Sequence, residues 1–332
     1  MTTDDHLAEV RREVLVRHLE AWAPAALHRA RHASYVHGYA DADGGRAAEA
    51  AVRVFAELSD LVRGRELTML AVGDDTTAAA ARLATAQREG GVAAGLSVHT
   101  VDGGTDARLA VALAAGGAAR VPLLGYLDAT AAPGPPALAT VAALAAGKPA
   151  EVLLVLAPGA LEGLDGDPDA AVRVFGGPPG DGSRVDAYRA ALRRAGFPLV
   201  AAVELVANGG PGQLLVFATA SGKSLEGFKD TLWAVDEYAG VRYRDPGDPE
   251  GHLLDISLTP HPGPLRRELL GHLAEAGPAT VTELRTFALT ETVYRAADAT
   301  RVLQALLAAG AVTRSPEHGR LGGDVVIAVA DA

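Results

Sequence analysis

Two apolar runs, Leu199-Val-Ala-Ala-Val-Glu-Leu-Val206 and Gln213-Leu-Leu-Val-Phe-Ala-Thr219, flank the turn-rich segment Asn208-Gly209-Gly210-Pro211-Gly212. Glycine and asparagine reach positive φ at little cost, so strand-forming runs on either side of them predict an antiparallel hairpin. Upstream the chain follows another rhythm. Ser34–Ala40, Leu67–Val72, Leu96–Val101, Val121–Leu127 and Val152–Leu156 are short apolar runs, read as five strands. Between them lie segments of helical spacing: Arg46–Val62 (with Val52, Phe55, Leu58 and Leu61 on one side), Thr76–Arg88, Asp106–Ala115 and Ala137–Ala146. Strands that lack polar alternation are buried on both faces, which calls for a parallel sheet with helices on each side.

Outward from this region, Leu7–Leu27 is predicted as an amphipathic helix through Leu7, Val10, Val14, Leu15, Leu19 and Trp22. Pro158–Ser183 is rich in Gly, Pro and Asp and reads as a long loop with one helical turn at Asp169–Phe175, a length typical of lids and binding loops. Helices are expected at Val185–Ala195 and Leu225–Val235, a loop at Gly240–His252, and a linker at Pro260, Pro262 and Pro264. The tail carries helices Leu265–Ala276, Val281–Ala288 and Ala296–Ala309, then strands Val312–Arg314 and Val325–Val329 around a turn. Three helices followed by a β-hairpin is the order of a winged helix. Right-handed crossovers make the main sheet doubly wound. Five βα units closed by an antiparallel hairpin is the Rossmann-like α/β layout of a class I methyltransferase-type sheet. The expected division is an N-terminal helix over 1–32, the Rossmann-type domain over 33–258 and the winged helix over 262–332. Fold alone does not assign an activity.

Composition narrows the functional classes. Hydrophobic residues are 49% of 332, enough for a substantial core, although alanine inflates helical signals. The absence of cysteine excludes disulfides, thiolate zinc sites and a cysteine nucleophile. A net charge of −11 argues against a protein that lives on phosphate backbones, where clustered Lys and Arg supply the affinity. The stretch from Ala129 to Gly147 is uncharged, but Pro133, Pro135 and Pro136 make it a poor membrane span. The first residues, Met-Thr-Thr-Asp-Asp-His, have neither the basic start nor the apolar block of a signal peptide, so a cytoplasmic location is expected.

Several segments together resemble a known family. They are the N-terminal helix with Leu15, Leu19 and Trp22, the strand end His37-Gly38-Tyr39-Ala40, and Leu124-Gly125-Tyr126-Leu127-Asp128. The run Leu214-Leu215-Val216-Phe217-Ala218-Thr219, followed by Leu225, Lys229 and Leu232-Trp233-Ala234-Val235-Asp236, adds to them. In this order, with the winged-helix tail, they are similar to the three-Cys-motif partner proteins, TcmP. The resemblance spans nearly the whole chain and is strongest from Gln213 to Asp236 and in the tail. It implies a methyltransferase-like fold, S-adenosylmethionine as the cofactor to consider, and a protein partner. Where that family reads Asp-Gly-Phe-Ala-Gly after the first strand, this chain has His37-Gly38-Tyr39-Ala40-Asp41 and then Asp43. The Asp-Pro-Phe on strand four has become Asp128-Ala129-Thr130.

The candidate site residues follow from this layout. In such a sheet the ligand lies beyond the C-terminal strand ends, at the switch between strands one and four. His37, Gly38, Asp41, Asp74, Asp75, Asp102 and Asp128 fall there as cofactor-binding candidates, with Asp128 and His37 also candidates for catalysis. Asp74 and Asp75 are placed to bind ribose hydroxyls or to cap a helix. Asp102 is placed to meet an adenine amino group or to close a turn. Asp41 and Asp43 bring negative charge near a methionine carboxylate, which weakens cofactor binding. A cation held by His37, Asp41, Asp43 and Asp128 is the alternative use of the cluster. Gly222-Lys223-Ser224 echoes a phosphate loop but lacks its first glycine, the position being Phe217, and reads as a helix start. His28 and His32 lie four apart on what reads as a polar face. In the tail Arg295, Asp298, Arg301 and Gln304, with Arg314, His318 and Arg320 in the wing, are nearly balanced by acids. That balance favours a protein partner or a homodimer over nucleic acid. Two classes of function follow: a binding protein whose S-adenosylmethionine chemistry is weakened or lost, or an active methyl or related group transferase.

Overall fold

The computed structural model describes residues 3–58, 64–91, 95–236 and 240–330. Helix α1 (Thr3–Arg29) leads into β1 (His32–Gly38), α2 (Arg46–Glu57), β2 (Glu66–Val72), α3 (Thr77–Glu89) and β3 (Leu96–Val101). Then come α4 (Thr105–Ala115), β4 (Leu123–Ala129), α5 (Leu138–Leu144) and β5 (Ala150–Leu156). After a 3₁₀ turn (Glu162–Gly166) follow α6 (Pro168–Phe175), α7 (Arg184–Arg194), β6 (Leu199–Ala207), β7 (Gln213–Thr219) and α8 (Gly222–Ala234). The chain continues with β8 (Val241–Arg244), β9 (Leu253–Asp255), α9 (Gly263–Ala276), β10 (Ala279–Thr280), α10 (Val281–Glu291), α11 (Ala296–Ala308), β11 (Val312–Ser315) and β12 (Val326–Val329).

The main sheet runs β3-β2-β1-β4-β5-β7-β6-β8-β9. The first five strands are mutually parallel, and β7 enters antiparallel between β5 and β6. This is the doubly wound α/β sheet of the class I methyltransferase type, with its order reversing between β1 and β4. Alternate residues serve two cores. Tyr35, Met69 and Leu153 point into a cluster with α1, α2 and α8, while Val36, Leu70 and Leu154 point into one with α4, α5 and α7. All six are buried because helices cover both faces.

Three expectations change. The predicted loop Gly240–His252 contains β8 and leads to β9, which extend the sheet beyond its usual edge. Short strands whose inward residues are only Val241, Tyr243 and Leu254 leave too few apolar positions for a pattern to register. The predicted loop Pro158–Ser183 holds the 3₁₀ turn and a complete α6, capped by Asp167, whose carboxylate accepts the Ala170 amide at 3.0 Å. The predicted helix Arg46–Val62 is helical to Glu57; its expected end, with Leu61 and Val62, lies outside the described residues.

At the C-terminus, α9, α10 and α11 pack against a separate three-stranded antiparallel sheet ordered β10-β12-β11. Its core is continuous with that of α1 and α8 rather than separate. The junction is polar at its centre. Lys229 of α8, 1% exposed, donates to the carbonyls of Ala288 (2.9 Å), Thr292 (2.5 Å) and Tyr294 (2.7 Å). These oxygens sit where α10 ends, so the ammonium meets the negative end of the helix. Trp233 donates its indole N–H to the Val293 carbonyl at 3.1 Å. Buried Asp245 accepts the amides of Gly247 (2.9 Å) and Val293 (2.7 Å). Arg189 of α7 pairs with Glu291 at 2.7 Å and donates to the Thr290 carbonyl.

Candidate functional site

The C-terminal ends of β1, β2, β3 and β4 bring the predicted residues to one end of the sheet. Gly38 pairs with Val72 and Leu127 across the neighbouring strands. A side chain at Gly38 would meet Leu127 Cδ2 at 2.4 Å and Thr105 Cγ2 at 2.9 Å, so those two groups already fill the space at the strand end. The next residue, Tyr39, turns into the left-handed region at φ 55, and its amide donates to Thr105 Oγ1 at 2.7 Å. Thr105 in turn donates to the Val72 carbonyl at 3.2 Å. The loop is thus tied down on β2 and α4.

The turn into α2 uses glycines that the family comparison did not single out. Gly44 and Gly45 adopt φ 66 and 84, and a side chain at Gly45 would lie 2.6 Å from Ala79 Cα. Only a glycine lets α2 and α3 approach this closely in that conformation. Asp43 closes the helix start: its carboxylate accepts the amides of Gly45 (2.9 Å), Arg46 (2.9 Å) and Ala47 (2.8 Å). These first-turn donors are the ones a helix N-terminus offers to a ligand anion. Asp41 accepts the Asp74 amide at 3.3 Å across the cleft.

The remaining acids are engaged in similar ways. Asp102 accepts the amide (2.8 Å) and hydroxyl (2.6 Å) of Thr76, and these bonds hold its carboxyl below the usual range. Asp75 accepts the Thr77 amide at 3.0 Å, again lowering its pKa. Both bonds secure the start of α3. Asp74 and Asp75 are exposed at the end of β2. Asp128 binds the Thr130 amide (3.1 Å) and hydroxyl (2.6 Å) through one oxygen, and the Tyr126 hydroxyl (3.2 Å) through the other. Arg11 of α1 stands 3.5 Å from that second oxygen. His37 is 2% exposed, its Nδ1 2.9 Å from the Tyr35 hydroxyl and its ring 5.0 Å from that of Tyr126. Burial pushes its pKa down to about 4 against the opposing pull of Asp43 and Asp128, so the ring is neutral at pH 7. Burial likewise raises Tyr35 and Tyr126, which stay protonated. His37 is therefore engaged with Tyr35, and Asp128 with Tyr126, Thr130 and Arg11.

The four donors His37, Asp41, Asp43 and Asp128 do not converge on a common point. Among the described residues, three potential metal ligands meet at Asp248, Glu250 and His252. Arg267 already stands on that cluster, 3.0 Å from His252 and 3.2 Å from Glu250. His28 and His32 part company: the first contacts the Pro24 carbonyl at 2.7 Å and the second Thr68 Oγ1 at 3.1 Å. Gly222-Lys223-Ser224 opens α8, whose cap is Ser221, accepting the Ser224 amide at 3.2 Å.

In the tail, Asp298 is not an exposed reader. It is 3% exposed and bound to Arg295, which also reaches the Leu258 carbonyl at 2.8 Å. Arg301 contacts Asp298 as well. The exposed positions of α11 are Ala297, Arg301, Gln304, Ala305, Ala308. In the wing, Arg314 donates to the carbonyls of Pro316, Gly319 and Arg320, which fixes the turn rather than facing outward.

Sequence reasoning passed over His18 and Glu151 and gave Lys229 no role beyond the family resemblance; all three are buried. A weak signal existed for each. His18 falls on the apolar stripe of α1 between Leu15 and Trp22, Glu151 immediately precedes the apolar run Val152–Leu156, and Lys229 lies between Phe228 and Leu232. No helix of the described residues is long and apolar enough to cross a membrane.

No family model and no curated protein matches the sequence. Among solved structures, the chain is similar to the magnesium protoporphyrin IX methyltransferase ChlM from Synechocystis PCC 6803 with bound SAH, at 13% identity and a TM-score of 0.36. That match covers 67% of this chain and 88% of the other. It is also similar to the pyocyanin biosynthetic protein PhzM, at 16% identity and a TM-score of 0.28, over 57% of this chain and half of that one (50%). The chain's own strand order and the antiparallel β7 make the fold that of a class I methyltransferase.

Proposed function

We propose that this chain is a methyltransferase-fold protein that has given up S-adenosylmethionine chemistry and acts by binding a protein partner through its C-terminal unit, as a divergent relative of the TcmP family. The observation that carries the reading is Asp43. Its carboxylate takes three amides at the start of α2, donors that would face the methionine end of the cofactor. A second anion brought there meets like charge and finds three of the donors already taken. Leu127 and Thr105 fill the flank of Gly38, and Asp102 is turned onto Thr76. The residues present do not fit S-adenosylmethionine.

The partner half of the reading draws on α11. Its outward face is small, carries one charged side chain, and that arginine is already paired. A helix that reads DNA needs free cations at this position. A weakly charged face of small side chains suits a protein surface, with a second copy of the chain as one candidate. The family resemblance agrees, since its strongest segment carries Lys229 and Trp233, which hold the C-terminal unit in place.

Calorimetry with S-adenosylmethionine and S-adenosylhomocysteine tests the first half. The expected result is no heat of binding at millimolar ligand. A dissociation constant below about 1 mM, an affinity of roughly 4 kcal/mol, would overturn it. It would then favour an active transferase using the exposed Asp74 and Asp75 on β2. A mobility-shift assay on random duplex DNA at two salt concentrations tests the second half. A shift at low salt that weakens steeply with added salt would reassign the tail to nucleic acid.

A further inference from the structure

The opposite end of the sheet, where the parallel strands begin, holds a cavity of about 210 Å³ between α1, the start of β5 and the start of α8. Two residues that line it each hold a buried polar atom without a hydrogen-bond partner: His18 Nε2 and Glu151 Oε2. They stand 3.4 Å apart on residues 4% and 3% exposed. Buried polar atoms left in this condition are rare, and each calls for a reason. The rest of the arrangement is fixed. Glu151 Oε1 accepts the Ser224 hydroxyl at 2.6 Å, which leaves Oε2 as the free oxygen. The imidazole is held edge-on by Phe217 at 5.1 Å and Phe228 at 5.7 Å, and those rings stack on each other at 4.3 Å.

The rim has the opposite polarity. Lys223 and Arg29 line the cavity and are exposed. Helix α8 begins here, and its cap Ser221 accepts the Ser224 amide, leaving the Gly222 and Lys223 amides to face solvent at the positive end of the helix. Trp22 supplies an apolar wall. Acceptors sit at depth, donors and cations at the mouth, and the volume suits a molecule of around ten heavy atoms.

We propose that this cavity binds a small zwitterion of the α-amino acid class. Its ammonium group donates to Glu151 Oε2 beside His18 Nε2, where the two atoms without a hydrogen-bond partner meet. Its carboxylate lies at Lys223, Arg29 and the first-turn amides of α8, and its side chain rests on Trp22. The site is at the far end of the sheet from the strand ends treated above and does not depend on whether a nucleoside cofactor binds there.

The test uses the full-length protein and the twenty proteinogenic L-amino acids, each offered singly at about 10 mM in thermal-shift and calorimetric titrations. At least one is expected to raise the melting temperature and to bind with a dissociation constant at or below the millimolar range. Its N-acetyl derivative should lose that binding, since the ammonium is the group Glu151 receives. Glu151→Gln should weaken binding at least tenfold, and Lys223→Ala, an exposed change that spares the core, several-fold. Should Glu151→Gln fail to fold, Lys223→Ala and the N-acetyl derivative still decide. Absence of binding by all twenty, equal binding of the N-acetyl form, or indifference to Lys223→Ala would overturn the proposal.

Discussion

Replacing Lys229 by methionine removes the ammonium while keeping most of the aliphatic stem that packs in the core. Three carbonyls lose a donor, but not equally. The Ala288 oxygen keeps a bond from Thr292 Oγ1 at 2.8 Å. The Thr292 and Tyr294 oxygens lose the Lys229 bonds of 2.5 and 2.7 Å. An unsatisfied buried carbonyl costs about 1–3 kcal/mol, so two cost roughly 2–6 kcal/mol. Relief from desolvating an ammonium offsets part of this, and Asp245, 6% exposed, loses a nearby positive charge that favoured its ionised form. The expected net loss is about 3 kcal/mol, concentrated at the junction. Chemical denaturation followed by tryptophan fluorescence reads it directly. The chain has two tryptophans, and Trp233 binds Val293 in the same junction. Hydrogen exchange should speed up at the α10–α11 connection before it does in β1 or β4. A loss below about 1 kcal/mol, or exchange that rises evenly across the chain, would refute the assignment of Lys229 as the latch. The pH dependence adds a check. Burial lowers the Lys229 pKa from 10.5 to about 7, so between those values the unfolded chain holds a proton that the folded one has released. Stability of the wild type therefore rises with pH across about 7 to 10.5, and Lys229→Met should lose that component.

Glu268 gives the opposite sign. Burial, with Asp245 and Asp248 nearby, raises its pKa from 4.5 to about 8, so its contribution is present below 4.5 and lost as pH climbs through 8. Glu268→Gln should match the wild type near pH 4.5 and exceed it at pH 8.5 in melting temperature; a constant difference across that range would contradict the assignment. Asp43→Ala removes the acceptor of three α2 amides and should cost about 1–2 kcal/mol in urea denaturation, with no change expected if the helix start were satisfied by solvent. Gly45→Ala places a Cβ 2.6 Å from Ala79 Cα at φ 84, and should cost roughly 1–3 kcal/mol by the same measurement, whereas Gly44→Ala, with nothing within 4 Å, should cost only the strain of its φ.

The sheet was legible because its central strands are short continuous apolar runs buried on both faces, and such runs stand out against turn residues. The hairpin of β6 and β7 was legible for the same reason. What a linear pattern could not carry was β8, β9 and the two-residue β10, whose pairing depends on neighbours distant in sequence. The family resemblance drew attention to Asp41 and Asp43 as departures from a glycine pattern. It did not show that Gly44 and Gly45 lie just beyond them at positive φ.

The chain's order of apolar runs and turn residues determined the α/β layout, the closing hairpin and the helical tail, because burial and backbone freedom are written locally. The use made of its charges was decided in three dimensions. Asp43, Asp102 and Asp128 look alike in sequence as acids at strand ends. Folding assigns one to a helix start, one to a threonine and one to a buried tyrosine and an arginine. Lys229 and Glu151 differ from surface residues only by where α10 and α1 come to rest against them. A charge declares its role through the groups that surround it at a few ångströms, and those groups are set by tertiary packing.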